Sequence, residues 1–334
     1  MENRLPARFR VMKAVSVDFS PDDPLKDLWH KHDQALSEFV KLDQEVCERG
    51  KPEAPDPASP SLLDLKHAIA LRLLESCRFC PRYCGVNRRA GQRGYCQLGD
   101  QILVSTAFDH WGEEPELVPS FTVFTIGCNL RCLHCQNWTI SQRFESGTPY
   151  TPREIAFMVD KARREGCRNL NMVGGDPTPW LHAWLEVSKY LKTNIPLVWN
   201  SNSYYSEETA KLLAGWIDVY LLDFKYGNDT CAKRISDAPG YWEVCTRNHL
   251  IAKKWGELII RILVLPQHLD CCLVPILEWI ANNLGRDVRV NIMFQYRPEW
   301  RAHEIPELRR RLTRQEMQRA VEEAKRVGLT NYIT

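Results

Sequence analysis

Apolar and polar positions in the second half of the chain predict six strands separated by helices. The strand segments are short runs rich in β-branched and aromatic residues. They are FTVFTIG (121–127), NLNMVGG (169–175), IPLVWN (195–200), DVYLLDF (218–224), LIIRILVLP (258–266) and VRVNIMF (288–294). This alternation is typical of an α/β fold with parallel strands and right-handed crossovers. An open (β/α) barrel and a doubly wound sheet both fit the pattern.

Capping residues mark where several of the intervening helices begin. Thr151 and Glu154 have the spacing of a capping box, Ser206 is a further N-cap, and Thr313 begins the last helix. Another helix is predicted from about Trp180. Each of these helices except the last lies between two predicted strands, as a crossover requires.

The first part of the chain is predicted to be a helical extension and linker. Apolar residues recur at helical spacing up to Gly50, the proline-rich KPEAPDPASP follows, and a second amphipathic helix leads to Cys77. We therefore divide the chain into an extension (1–76), a cysteine-rich module (77–114) and an α/β domain (115–334).

Charge and hydropathy narrow the functional classes. The 334 residues carry a net charge of +2, which gives no electrostatic case for binding nucleic acid or an anionic membrane. No apolar run is long enough to span a membrane, and the N-terminus lacks the apolar core of a signal peptide. We expect a cytoplasmic protein.

Cysteine is the most informative residue type in this chain. Seven of the 13 cysteines lie between Cys77 and Cys135, and in a chain without an export signal such a cluster favours metal binding over disulfides. The other six are predicted to be packing residues, because a free cysteine behaves as a small apolar side chain. They are Cys47, Cys167, Cys231, Cys245, Cys271 and Cys272.

The polar motifs of the α/β domain follow the predicted strands. GCNLRCLHCQN comes after the first strand, GGDPTP after the second and NSN after the third, while DFK closes the fourth and LP the fifth. Active residues of parallel α/β folds lie at the carboxyl ends of the strands. These motifs are therefore predicted to share one site.

Three cysteines in the first motif, Cys128, Cys132 and Cys135, have the spacing C-x3-C-x2-C. A structural zinc site uses four protein ligands, so three thiolates fit better a [4Fe–4S] cluster with one open iron. The spacing resembles that of the radical S-adenosylmethionine (SAM) superfamily. The resemblance implies that the open iron binds SAM and that reductive cleavage gives a 5′-deoxyadenosyl radical for hydrogen abstraction. A three-thiol zinc site and free thiols are the alternatives.

The same resemblance implies a set of SAM-facing residues. Gly174, Gly175 and Asp176 lie in a GGDP sequence similar to the family's GGEP motif, with a shorter acidic side chain. The other residues implied to face the cofactor or substrate are His134, Asn200, Ser201, Asn202, Asp223, Lys225 and Arg261. A polar turn at 200–202, an internal Asp223–Lys225 ion pair and an internal role for Arg261 are the alternatives.

Longer motifs resemble a subgroup described as pyruvate formate-lyase activase-related. They are CRFCPRYCGVNRRAGQRGYC, GCNLRCLHCQNWTIS, DFKYG, LVLPQH and LTRQE, and the likeness covers residues 61 to 330. It implies a partial (β/α)6 barrel and an electron donor such as flavodoxin or ferredoxin. The substrate implied is a protein, a peptide or a small molecule, with glycyl-radical-enzyme activation as one version. A non-catalytic iron–sulfur electron carrier or scaffold is the alternative.

Four further cysteines lie upstream within twenty residues: Cys77, Cys80, Cys84 and Cys96. Four thiolates would close a metal site, which is typical of a structural or electron-transfer role. Zinc and an auxiliary iron–sulfur cluster both fit the spacing, so the sequence predicts a second metal site without naming its metal.

Overall fold

Nine strands form one mixed sheet in the computed structural model, which describes residues 2–334. The strands are β1 (Leu103–His110), β2 (Ser120–Thr125), β3 (Thr148–Pro149), β4 (Asn169–Gly174), β5 (Leu197–Ser201), β6 (Val219–Asp223), β7 (Glu257–Leu263), β8 (Arg289–Met293) and β9 (Tyr332–Ile333). Their order across the sheet is β3-β1-β2-β4-β5-β6-β7-β8-β9.

Helices connect the strands and precede the sheet. They are α1 (Arg8–Ala14), α2 (Leu25–Arg49), α3 (Leu62–Glu75), α4 (Trp138–Ser141), α5 (Pro152–Arg164), α6 (Leu181–Tyr190), α7 (Glu207–Leu213), α8 (Asp229–Ser236), α9 (Tyr241–Trp255), α10 (Val274–Asn283) and α11 (Arg314–Arg326). Within the described chain, no helix is both long and apolar enough to cross a membrane.

The six predicted strands are β2, β4, β5, β6, β7 and β8, and they pair in parallel in chain order. A doubly wound sheet reverses its strand order at a switch point, and these six strands do not. Antiparallel strands β1 and β3 extend the β2 edge, and β9 extends the other edge. The motifs at the carboxyl ends of the parallel strands therefore face one rim.

The capping signals of the sequence are confirmed. The Thr151–Glu154 and Thr313–Glu316 capping boxes begin α5 and α11, and the Ser206 hydroxyl accepts a hydrogen bond at the start of α7. Gly50 ends α2 with a φ of 61°, a left-handed conformation that glycine adopts at little cost. Helices α1, α4, α8, α9 and α10 are not predicted from the pattern.

A buried lysine ties the N-terminal helices to the α/β domain. The Lys66 ammonium on α3 donates to the carbonyls of Lys211 (3.0 Å) and Leu212 (3.1 Å) and contacts His32 Nε2 on α2 at 2.9 Å. Burial lowers the pKa of Lys66 well below its ordinary value and that of His32 to about 4. The Lys66 ammonium can share this space with His32 only if the imidazole is neutral.

Stability should decline on acidification because His32 must be neutral to stay buried. Its pKa is about 4 in the folded chain and 6.5 ordinarily. The unfolded chain binds more protons between these values, so the contribution is complete above the higher value and is lost as the pH falls toward the lower one. At about pH 5.5 the His32 contribution to that loss is about 1 kcal/mol.

Urea denaturation at about pH 7.5 and 5.5 measures this loss in the wild type, in His32→Gln and in a control, His30→Gln, on the same helix. His30 is exposed. The wild type and the control should lose more stability than His32→Gln. Equal losses in all three proteins would contradict the role of His32.

Candidate functional site

A cavity of about 430 Å³ opens at the carboxyl rim of the parallel strands. It is lined by every residue that the sequence assigned to the cluster and the SAM site. These are Cys128, Cys132, His134, Cys135, Gly174, Gly175, Asp176, Asn200, Ser201, Asn202, Asp223, Lys225 and Arg261. The ends of β2, β4, β5, β6 and β7 and the loops after them carry these residues, because parallel pairing sets these strand ends side by side.

The loop after β2 brings three thiols to the cavity wall. Cys128 and Cys132 are buried, and Cys135 Sγ lies 3.2 Å from the Ser141 hydroxyl. Burial raises the pKa of Cys128 well above its ordinary value, and that of Cys132 to about 11. Thiolates at these positions therefore need a bound metal for compensation, and such a donor set fits an iron–sulfur cluster.

Two glycines at the end of β4 allow close contact with the end of β2 and with the loop that carries Cys128, Cys132 and Cys135, which we call the cluster loop. A Cβ at Gly174, where φ is 135°, would lie 2.2 Å from the backbone of Thr125, and one at Gly175 would lie 2.0 Å from the Gly127 carbonyl. The Gly175 N–H donates to Thr125 O (2.9 Å), and the Asp176 N–H donates to Gly127 O (3.0 Å). No larger residue permits this approach.

The Asp176 carboxylate organises the cavity wall. Its side chain accepts hydrogen bonds from the Asn202 N–H (2.8 Å), the Ser201 hydroxyl (3.1 Å) and the Thr178 N–H (2.9 Å). Burial raises the pKa of Asp176, and these hydrogen bonds oppose the increase. The carboxylate is thus engaged by hydrogen bonds from the protein, although the family resemblance implies that it faces SAM.

Asn202 links the Asp176 carboxylate to the cluster loop. Its amide donates to Asn129 Oδ1 at 2.7 Å and approaches Cys128 Sγ at 3.5 Å. The predicted polar turn at 200–202 is therefore also part of the cavity wall. A donor aimed at Cys128 favours the thiolate that metal binding requires.

Asp223 and Lys225 form an ion pair of 2.7 Å at the end of β6. Burial opposes the charge on Lys225, but the Asp223 carboxylate outweighs it and raises the pKa of the ammonium. Both side chains are partly exposed to the cavity. They can therefore meet a ligand as a pair, with the ammonium charged.

Arg261 reaches the cavity from β7 but is already paired. Its guanidinium donates to Glu114 at 2.8 Å and 2.6 Å and also contacts Glu113, while the Asn291 amide donates to Glu114. Burial opposes the charge, but Glu114 and Glu113 raise the pKa of Arg261. Glu113, Glu114 and Asn291 were missed by the sequence analysis, although an asparagine within VRVNIMF is an unusual polar residue in a strand.

His134 is buried beside the cluster loop. Burial lowers its pKa to about 3, so the ring is neutral. Its Nε2 lies 3.2 Å from the Tyr226 hydroxyl, and its ring meets Tyr296 edge-on with centroids 5.9 Å apart. The residue can therefore present an aromatic surface to the cavity without adding charge.

The four upstream cysteines line a second, smaller cavity. Burial and the three other thiols raise the pKa of Cys80. Arg82 donates to the Asn129 carbonyl (3.2 Å), and Arg131 donates to the Cys128 carbonyl (2.8 Å) and contacts the Tyr95 carbonyl. The cysteine-rich segment therefore packs directly on the cluster loop.

Comparison with known proteins gives matches along the whole chain. A sequence profile of the Radical SAM superfamily matches residues 122–280. "Uncharacterized protein MJ0674" of Methanocaldococcus jannaschii is 44% identical over 332 residues, which cover 97% of this chain and 94% of that protein. "Probable GTP 3',8-cyclase" of Thermococcus kodakarensis is 38% identical over 88 residues, covering 26% of this chain and 28% of that protein.

Among solved structures, Streptococcus suis SuiB bound to S-adenosylmethionine is similar to this chain with 12% identity and a TM-score of 0.48. The match covers 90% of this chain and 62% of that protein.

Proposed function

We propose that this chain, whose residues 122–280 match the Radical SAM superfamily, cleaves SAM to start radical chemistry on a second substrate. The single observation that carries the proposal is the cavity at the strand ends. The cavity is lined by the three thiols, by Gly174 and Gly175, and by the Asp223–Lys225 ion pair.

Cys128, Cys132 and Cys135 would hold a [4Fe–4S] cluster. The buried thiols and the amide of Asn202 pointing at Cys128 suit an anionic metal centre. When bound, the reduced cluster supplies the electron that splits SAM into methionine and a 5′-deoxyadenosyl radical able to abstract hydrogen. The chain's own residues then have to bind and orient SAM and keep water away.

The loops after β4 and β5 would orient the amino acid part of SAM. Gly174 and Gly175 expose backbone at the cavity wall, and Asn200 and Ser201 add polar side chains there. Asp176 acts by positioning Asn202 and Ser201, to which it is hydrogen-bonded. The paired Asp223 and Lys225 lie across the cavity, where they would meet the cofactor or the substrate.

The finer proposal is an activase-related enzyme built on a partial (β/α)6 barrel. Six parallel strands in unbroken chain order support the barrel, and the subgroup motifs support the activase likeness. We propose a protein, peptide or small-molecule substrate at the cavity, glycyl-radical-enzyme activation as one version, and flavodoxin or ferredoxin as the reductant.

Anaerobically reconstituted, dithionite-reduced protein is expected to convert SAM to methionine and 5′-deoxyadenosine, measured by chromatography of the products. Cys132→Ala should abolish the reaction because it removes one of three cluster ligands. Cys47→Ser, at an exposed cysteine of α2, should behave as the wild type. If cluster-replete, reduced wild type neither binds SAM nor yields 5′-deoxyadenosine, an electron carrier or scaffold becomes the better function.

Asp176→Asn should weaken SAM binding by roughly ten- to a hundredfold, since about 1.4 kcal/mol is a factor of ten. The amide keeps the size of the carboxylate but has one acceptor oxygen fewer for the donors on Thr178, Ser201 and Asn202. Equilibrium dialysis of SAM against the loaded protein measures the change.

Iron content of Asp176→Asn should stay at the wild-type level, because Asp176 is not a predicted ligand. Asp56→Asn, in the exposed proline-rich segment, is the matched control. Unaltered SAM affinity in Asp176→Asn would exclude the positioning role.

We further propose that Cys77, Cys80, Cys84 and Cys96 hold a second metal, either zinc or an auxiliary iron–sulfur cluster. Their common cavity beside the cluster loop supports this. Cys80→Ser should lower the metal content while the first cluster, followed by its SAM-dependent EPR change, remains. Zinc and iron counts in the same samples identify the metal, and full metal content in Cys80→Ser would reject a ligand role.

A further inference from the structure

A third group of metal-binding side chains lies at the rim, formed by residues that the sequence analysis did not assign to metal. Cys231 Sγ, Cys271 Sγ and a ring nitrogen of His268 lie within 4.8 Å of one another. Cys231 is on α8, and Cys271 lies in a single π-helical turn, Leu269–Leu273. Such turns are frequent at functional sites.

The spacing of the sulfur atoms matches a mononuclear zinc site. Cys231 Sγ and Cys271 Sγ are 3.8 Å apart. Two thiolates about 2.3 Å from a tetrahedral zinc ion lie about 3.8 Å from each other. Two thiolates and a neutral imidazole also balance the charge of a divalent ion, which matters because Cys231 and His268 are buried.

The His268 ring is held in the tautomer that binds metal through Nε2. Its Nδ1 lies 2.8 Å from the Pro266 carbonyl, which can only accept, so Nδ1 carries the proton. Nε2 has weaker neighbours, with Arg234 Nη2 at 3.4 Å and Glu307 Oε1 at 4.0 Å. Arg234 is itself paired with Glu307, so a metal ion can replace it at Nε2.

Asn228 contacts the sulfur atoms but is not itself a predicted ligand. Its amide donates to the Cys271 carbonyl at 2.7 Å and approaches Cys231 Sγ at 3.4 Å and Cys272 Sγ at 4.0 Å. Donors aimed at sulfur favour the thiolate form. Gly227 permits the close approach, since a Cβ there would lie 2.5 Å from the Cys272 carbonyl oxygen.

We propose that Cys231, His268 and Cys271 bind a zinc ion. Soft thiolates with an imidazole suit zinc better than hard cations such as magnesium. Cys272, whose Sγ is 3.9 Å from that of Cys271, is the candidate fourth ligand. The exposed Cys271 gives the ion a path from solvent.

The zinc site would fix α8, and α8 in turn supports the cluster loop. At the other end of α8 the carbonyls of Ser236 and Ile235 accept hydrogen bonds from the N–H groups of Arg131 (3.0 Å) and Leu133 (2.9 Å). Joining Cys231 to the turn after β7 would therefore hold the backbone between Cys128 and Cys135 in place. The role is structural and does not depend on the function proposed above.

Metal content tests the site on the full chain purified anaerobically. Cys231→Ser and Cys271→Ser should each contain about one zinc per chain less than the wild type, while Cys47→Ser, at another exposed cysteine, should match it. Inductively coupled plasma mass spectrometry counts zinc and iron in the same samples. Because each variant is compared with the wild type, zinc held by the upstream cysteines is counted in both and cancels in the difference. Equal zinc in all four proteins would overturn the proposal.

Thiol protection in the wild type tests the same site without a mutation that could disturb folding. After chelation, zinc alone should slow the alkylation of Cys231 and Cys271 by iodoacetamide, mapped by peptide mass spectrometry, and leave that of Cys47 unchanged. Equal alkylation rates with and without zinc would overturn the proposal. So would a Cys231–Cys271 disulfide in the anaerobic protein, since a disulfide has no thiolate to offer.

Discussion

The candidate site depends on the hydrogen bonds that the buried Asp176 carboxylate accepts. An ionised carboxylate out of water is costly unless hydrogen bonds surround it, and here Thr178, Ser201 and Asn202 supply them. Satisfying this one group fixes the end of β5 against the end of β4. Asn202 then reaches Asn129 and Cys128. Hydrogen bonding of one buried carboxylate thus fixes the positions of three adjacent loops.

Parallel pairing makes that arrangement available. Strands β2, β4, β5, β6, β7 and β8 neighbour one another in chain order, so each crossover returns the chain to the same side and all six strands end at the same rim. Gly174 and Gly175 then allow backbone-to-backbone contact that a Cβ would prevent. The cavity is therefore a consequence of the sheet, and its polar lining is a consequence of which residues follow each strand.

Charges around the cavity are paired within the protein before any ligand arrives. Lys225 is neutralised by Asp223, and Arg261 by Glu113 and Glu114. Pairing offsets the desolvation of each ion and holds its geometry. The buried thiols of the cluster loop are different, because burial raises the pKa of Cys128 and Cys132. Their charged form therefore needs a compensating positive charge, which a bound metal supplies.

The sequence by itself determined the six parallel strands and several cap residues, because each depends on local periodicity and short spacing, whereas the order of the strands across the sheet came from the structure. It also identified the residues that the cluster loop and the SAM motifs contribute to the cavity, since polar motifs after successive parallel strands converge, but it missed Glu113 and Asn291. Only the tertiary structure decided the partners of Asp176 and Arg261, because Glu113 lies 148 positions from Arg261. For the same reason it alone brought Cys231 next to Cys271, 40 positions away. Contacts between distant segments follow from how helices and loops pack over the rim, and no local pattern encodes that packing.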